Sequence, residues 1–302
     1  VPAAERVNVQ VGDRTLSVSN LTKVLYPAVG FTKADVIQYY VRVAPTMLPH
    51  VSDRGVTLRR FPNGVDGQAF FEKRCPSHRP DFVDAVEGPG EKGTPIYYCR
   101  FAEVAALAWA ANMAALELHA PMARAADLDA PTMVVFDLDP GPGTAMPECA
   151  EIGVLIRDTL AGIGLESYAK TSGSKGLQTY VPLNTPHTHE HASQFALTVA
   201  QVLERAHPDL VVTTQAKAAR TGKVLIDWSQ NSRHKTTIAV YSLRGRAQPT
   251  VSTPVTWDEV EAAADGAPLS FDADDVLERI DRLGDLFAPT LEVRQELPAV
   301  KA

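Results

Sequence analysis

Cysteine is scarce. Cys75, Cys99 and Cys149 are the only three in 302 residues. They are odd in number, far apart and in no C-x-x-C spacing, so the expectation is neither a disulfide framework nor a thiolate zinc site, and a reducing cytoplasm fits best. Long apolar runs are missing as well: nothing approaches the roughly 18 uninterrupted apolar residues of a membrane span. The N-terminus lacks the basic-then-apolar layout of a signal peptide. Internal repeats and low-complexity tracts are absent. These absences leave a soluble, unexported chain with an ordinary globular balance of 45% hydrophobic and 22% charged residues.

A net charge of -7 argues, taken alone, against a nucleic-acid partner, because phosphate binding draws on clustered Lys and Arg. The cations are bunched, however. Arg59 and Arg60, Lys73 and Arg74, and Arg220, Lys223, Arg233, Lys235, Arg244 and Arg246 form groups, while acids concentrate in 257–285. A basic stripe on an acidic protein and a solvated mixed surface both satisfy this pattern.

Periodicity predicts an α+β fold. Alternation on both sides of Gly12-Asp13 predicts a hairpin over 7–18, and Thr32 with Asp35 three residues on predicts a capped helix start. Short strands are expected at 56–61, 69–73 and 95–99, then an Ala-rich buried helix over 103–118. From 133 the pattern sharpens into strand 133–138, helix 147–161, strand 166–170, a glycine loop, strand 177–182, helix 187–206, and strands 223–228 and 236–241. A last helix carries Leu277, Ile280 and Leu283 on one face.

The chemistry concentrates at "VVFDLDPGPGT", residues 134–144. In a strand, residues two apart share a face, so Asp137 and Asp139 point the same way with Cα atoms roughly 6.5 to 7 Å apart. Two such carboxylates repel and raise each other's pKa, a cost that divalent cations remove, and oxygen-only ligands select Mg²⁺ or Mn²⁺. Three rival readings stand beside this one. "FDLD" imitates the nucleophile motif of haloacid-dehalogenase-type phosphatases, although that motif opens its domain and here follows about 130 residues, with Pro140 in place of a flexible glycine. A glycosyltransferase-type D-x-D and a purely turn-forming pair are the others.

A third acid, Asp227, ends the apolar strand in "GKVLIDWSQNS" and would complete a two-ion cage; standing alone it would read as a cap. Between them lies "KTSGSKGLQTYVPL", where Gly173 and Gly176 bracket Ser174 and Lys175. Its backbone N–H groups can form an anion nest, with Ser172 and Lys175 adding side-chain donors; it lacks the Walker A order, and a plain hairpin connection is the alternative. His187, His189 and His191 in "HTHEH" invite a metal reading, but their place after Thr185-Pro186 predicts a polar first helical turn.

D-L-D, S-G-S-K-G and L-I-D-W together resemble the three motifs of archaeo-eukaryotic primases, most closely the polymerase domain of bacterial ligase D, used in non-homologous end joining. The likeness continues through "KVLYP", "RRFPNGVDGQAFFEK", "LAWAANMAALELHAP" and "KTTIAVYSLRGR", in order. It implies an RRM-like catalytic module with a mixed or antiparallel sheet at 126–245, an N-terminal α/β module at 1–125 on the DNA-end side, and packing elements at 246–302. All 302 residues would form a single primase-polymerase domain.

The resemblance further implies that Asp137, Asp139 and Asp227 ligate two divalent ions, Mn²⁺ or Mg²⁺. Ser172, Lys175, Gln178 and Arg244 would hold the nucleoside triphosphate, with His119 near its sugar. Asn20, Lys23 and Lys33 would take the 5′-phosphate beyond a gap, Phe70 and Phe71 would meet template bases, and Arg220 would lie near the primer terminus. Of Phe70 and Phe71, adjacent in a strand, one is expected in the core. The implied activity is template-directed nucleotide addition at DNA ends, gaps or 3′-overhangs in the bacterial cytoplasm or nucleoid, with ribonucleotides preferred. A ring-shaped end-binding protein and a separate ligase are implied partners, since the chain has neither a ligase lysine motif nor room for a nuclease domain; no membrane is involved.

One position departs from the family. Where His usually follows "KGL", this chain has Gln178, which donates through its amide but carries no charge, so weaker triphosphate binding is expected. That departure motivates a second reading, a non-catalytic or weakly active module that binds or bridges DNA ends. A primase starting strands without a primer is a third.

Overall fold

The computed structural model describes residues 6–88, 90 and 94–299. Its chain gathers into two compact units. One comprises Val1–Ala120, Ile238–Val251 and Phe271–Arg282, the other Pro121–Thr237, Ser252–Ser270 and Leu283–Ala302.

In the first unit the strands Arg6–Val11 and Arg14–Ser19 pair antiparallel with Val11 opposite Arg14, the hairpin that alternation predicts. The helix Lys33–Val51 starts where expected. The Thr32 hydroxyl accepts from the Asp35 N–H and the Asp35 carboxylate accepts from the Thr32 N–H, a capping box that satisfies two otherwise orphaned donors. This helix packs on Val104–Asn112 through a buried face that includes Val36, Tyr40, Val43 and Met47. Beside them the strands Ala115–Ala120, Thr57–Arg60 and Phe70–Glu72 form an antiparallel ladder in that order.

The helix expected over 103–118 is shorter, and its second half is a strand. Helical geometry ends at Asn112, Ala114 takes a left-handed φ of 56°, and Ala115–Ala120 pairs with Thr57–Arg60. Alanine-rich composition favours a helix, but the ladder bonds and burial of Leu116 and Leu118 override that propensity.

The cysteine expectation also needs correction: Cys75 and Cys99 form a disulfide. Sequence separation hid the pairing. The Cys75 N–H donates to the Tyr97 carbonyl, which lays the segment against the strand Ile96–Arg100 and brings the two Cα atoms to 4.7 Å.

The second unit is built on a six-stranded sheet in the order Val211–Val212, Val224–Asp227, Met133–Pro140, Leu177–Pro182, Tyr168–Thr171, Pro254–Val255. Its neighbours are antiparallel except the first pair. Val134, Val135, Phe136 and Leu138 of the central strand are fully buried, and the helices Met146–Ala161 and His189–Ala206 both pack on that strand. Gly176 is required by close approach, because a Cβ there would collide with the Leu138 carbonyl oxygen. The strand expected at 236–241 shrinks to Thr237–Ile238, and Tyr241 breaks the extended run with φ of 65°. The last helix is Ala273–Leu283; of its three expected apolar contacts only Leu277 is buried, and Leu283 lies exposed past the end of the packed face. Among the described residues no helix is long and apolar enough to cross a membrane.

Because the disulfide closes a separation of 24 residues, Cys75→Ser with Cys99→Ser should lower unfolding free energy by about 3 kcal/mol. Chemical denaturation of the double variant, beside mass spectrometry of alkylated wild type, measures this; an unchanged midpoint would show that the bond contributes nothing.

Candidate active site and nucleic-acid surface

The central strand of the second unit sets the geometry of the acids. Asp137 and Asp139, two apart, share a face, and Asp137 lies directly opposite Asp227 on one neighbouring strand and Gln178 on the other. Residues directly opposite in a ladder also share a face, so the three aspartates occupy one side of the sheet. The polarity of their surroundings differs. Asp137 keeps some accessibility, yet its carboxylate is densely surrounded; burial first, then the charge of Asp139, raises its pKa to about 7. The Gln178 amide, which donates to Oδ1 at 2.9 Å, acts in the opposite direction, and so does the charge of Lys170.

Asp227 is buried and accepts several hydrogen bonds. Gln215 donates to Oδ1 at 2.8 Å, Ser229 donates through both N–H and hydroxyl, and Gln230 donates to Oδ2 at 3.1 Å. It therefore caps the short helix Trp228–Asn231 while standing opposite Asp137. Among the described residues no group of three His, Cys, Asp or Glu closes around a single ion position. Arg220 donates to both the backbone carbonyl and Oε1 of Gln215 at 2.8 Å, so it reaches Asp227 through that amide. Gln215, Gln230 and Ser229 carry no signal in the sequence beyond their closeness to "LIDW".

In the glycine loop, Gly173 supplies a left-handed φ of 67° and the chain turns its amides inward. The N–H groups of Ser174 and Gly176 both donate to the Ser172 hydroxyl, at 3.2 and 3.1 Å. A hydroxyl that accepts twice still has its own hydrogen to give. Lys175 is exposed beside it. Gln178, by contrast, is buried, with Oε1 facing Lys170 and Tyr180 and its NH₂ on Asp137.

In the first unit, Asn20, Lys23 and Lys33 come together. The Lys23 N–H donates to the Asn20 carbonyl, and the Lys33 N–H to the Lys23 carbonyl. Burial, with Lys23 and Arg60 nearby, lowers the pKa of Lys33, so this cluster gains from an anion. Phe70 and Phe71 are both exposed, 43% and 55%, and neither is core. The reason is their place on a three-residue edge strand, where Arg60 covers one ring and Arg59 the other. Phe71 also meets His119 edge to face at 5.4 Å.

His119 and Arg244 converge on Glu117, which sequence reading passed over inside "LELHAP". Glu117 is fully buried, with Arg59 at 3.2 Å, His119 Nε2 at 2.9 Å, Arg244 at 3.6 Å and the Gly245 N–H at 3.0 Å. Burial alone would raise its pKa, but the His119 hydrogen bond and the Arg244 charge outweigh this and bring it to about 2. Burial lowers the pKa of His119 against the opposing pull of Glu117, so a neutral ring donates one N–H to an ionised carboxylate.

The "HTHEH" segment behaves as a polar helix start, with Thr188 as its N-cap. His189 is buried against the carbonyls of Asn231 and Leu128.

An acid with a depressed pKa stabilises the fold above its unfolded value, and that contribution is lost as pH falls through the folded one. From 4.5 to about 2 the shift corresponds to a contribution on the order of 3 kcal/mol. Urea unfolding across pH should show Glu117→Gln less stable than wild type near pH 7, with the gap narrowing below about 4.5; a gap that stays constant to pH 2 would refute the ionised buried carboxylate.

The family model described as LigD, primase-polymerase domain, matches residues 32–287. The multifunctional non-homologous end joining protein LigD of Mycolicibacterium smegmatis is 48% identical over 277 residues, covering 90% of this chain and 35% of its own length. The bifunctional non-homologous end joining protein LigD of Bacillus subtilis is 33% identical over 271 residues, 89% of this chain and 43% of its own. The chain thus spans well under half of these curated relatives. The solved polymerase domain of Mycobacterium tuberculosis ligase D, in complex with DNA, superposes with a TM-score of 0.86 at 43% identity, covering 93% of this chain and 99% of that one. With the model matched over most of its length and the fold shared, the chain belongs to the LigD primase-polymerase domain family.

Proposed function

We propose that the chain is a template-directed nucleotidyltransferase that extends a 3′-hydroxyl at DNA ends and short gaps during non-homologous end joining. The observation that carries this reading is the register that sets Asp137 opposite Asp227 with Asp139 on the same face. The donor set fits divalent cations: it is all oxygen, and burial, with the negative charge of Asp139 and Asp227 added to it, raises the pKa of Asp137 to about 7, a cost of ionisation that bound cations would offset. Asp137, Asp139 and Asp227 would hold Mn²⁺ or Mg²⁺, which when bound lowers the pKa of an attacking hydroxyl and offsets charge on a leaving pyrophosphate.

The chain's own groups do the rest. Ser172 and Lys175 present a hydroxyl and an ammonium to triphosphate oxygens, and the inward-turned amides of Ser174 and Gly176 keep the Ser172 oxygen in place. Gln215, Ser229 and Gln230 hold the Asp227 carboxylate against rotation. Arg220, near the primer terminus in the family, holds Gln215. In the first unit the family roles fall on His119 for the nucleotide sugar, Arg244 for triphosphate, and Phe70 and Phe71 for template bases, where stacking is worth about 1 to 3 kcal/mol per base. The cations Lys23 and Lys33, with Asn20, would take the downstream 5′-phosphate. Ribonucleotide preference, an end-binding ring protein and a separate ligase complete the reading, with the chain acting as a single primase-polymerase domain in the cytoplasm or nucleoid.

Asp137→Ala and Asp227→Ala should each reduce primer extension with Mn²⁺ to background while leaving gel-shift affinity for gapped duplex within about twofold, as expected for groups that act on the reaction and not on binding. Extension by either variant at the wild-type rate would sink the mechanism. Lys33→Ala should erase the preference for gaps carrying a 5′-phosphate and flatten the salt dependence of binding by about one counterion; an undiminished preference would remove Lys23 and Lys33 from that role. If phosphate-dependent binding occurs without any extension, the chain is an end-binding module instead.

A further inference from the structure

The side-chain amide of Gln178 has one orientation open to it, and a buried cation dictates which. Lys170 is 1% exposed; its Nζ donates to Gln178 Oε1 at 2.5 Å and to the Ser252 hydroxyl at 2.6 Å. Ser252 donates onward to the Thr171 carbonyl, so its lone pairs face the ammonium. The Tyr180 hydroxyl donates to the same Gln178 Oε1 at 3.1 Å, and its ring lies 5.4 Å from Lys170 Nζ. An ammonium has three donors and no acceptor. With two donors on its oxygen, the amide can only direct NH₂ the other way, where it meets Asp137 Oδ1 at 2.9 Å. A flipped amide would set NH₂ against the ammonium and oxygen against the carboxylate, two repulsive contacts in a buried site.

A buried lysine is costly to desolvate, and a buried charge is by itself weak evidence of a contribution to stability. Its presence here calls for a role other than packing. We propose that Lys170 is a positioning residue: acting through Gln178, it holds the Asp137 carboxylate in the rotamer that faces Asp227, ready for a divalent cation. This deepens the polymerase reading and rests on it for its functional meaning. It also revises the significance of the missing family histidine at 178. The neutral amide contacts the carboxylate, and the positive charge stands one hydrogen bond behind it.

The test is a double-mutant cycle on the full chain with Lys170→Met, Gln178→Met and the combination. Two readouts are needed: Mn²⁺ affinity of the nucleotide-free protein by electron paramagnetic resonance, and kcat and KM for primer extension. Each single variant should weaken Mn²⁺ binding at least threefold and lower kcat about tenfold, with KM for nucleotide moving less than about threefold. The double variant should match Gln178→Met within about twofold, since residues acting in series are not additive. Thermal denaturation of each variant checks that it is folded at the assay temperature, since Lys170→Met leaves the buried Gln178 and Ser252 oxygens without the ammonium that donates to them.

Additive losses, or wild-type Mn²⁺ affinity in Lys170→Met, would overturn the proposal. Should Lys170→Met not fold, Tyr180→Phe takes its place. It removes the second donor onto Oε1, and its loss of Mn²⁺ affinity should vanish in the Gln178→Met background; an equal loss in both backgrounds counts against the proposal. Coupled Mn²⁺ binding in a wild-type protein that never extends a primer would uphold the positioning role and refute the polymerase reading, whereas extension without coupling does the reverse.

Discussion

Like charge facing like charge across a strand pair is the constraint around which the second unit is organised. Asp137 and Asp227 stand opposite one another, with Asp139 two residues away on the same face. Opposed carboxylates in a ladder are ordinarily destabilising. The chain manages them with neutral donors in direct contact and cations one step removed. Gln178 and Gln215 each give an amide hydrogen to an aspartate, and the oxygen of each amide is held by a cation, Lys170 for one and Arg220 for the other. Direct ion pairs would neutralise the acids and leave nothing for an incoming cation; amides orient them without cancelling their charge.

Glu117 in the first unit shows the opposite solution. Two arginines, a histidine and a backbone N–H bear directly on one buried carboxylate and keep it ionised at almost any pH. One chain therefore holds acids of contrasting character, Asp137 poised near neutrality and Glu117 locked as an anion. Glu117 serves as an anchor for Arg59, His119 and Arg244, and Arg59 in turn lies over the ring of Phe71. The positions of those side chains are consequences of that single buried charge.

Legibility in the sequence followed the range of the interaction. The hairpin at Gly12-Asp13, the Thr32 to Asp35 capping box and the apolar strand ending in Asp137 depend on residues a few places apart, and their patterns were readable directly. The α+β class and the three aspartates came from spacing and from ordered motifs. What depended on distant partners was hidden. The stretch "ALEL" has helical composition, and only its ladder with Thr57–Arg60 makes it a strand. Cys75 and Cys99 look unrelated until Cys75 is laid beside Tyr97. Glu117, Gln215 and Lys170 are ordinary residues in the sequence; their significance lies in contacts made across other elements, which no local pattern encodes.

The division of the chain carries a consequence for how the protein is made. Residues 238–251 and 271–282 belong with Val1–Ala120, so the polypeptide passes between the two units five times. During synthesis, the earlier unit therefore stays unfinished until residue 282 has left the ribosome, long after its helices and hairpin have emerged. Its growing surface must be sheltered over most of translation, and a gene fragment cut near residue 120 would express an orphaned half, not a smaller protein.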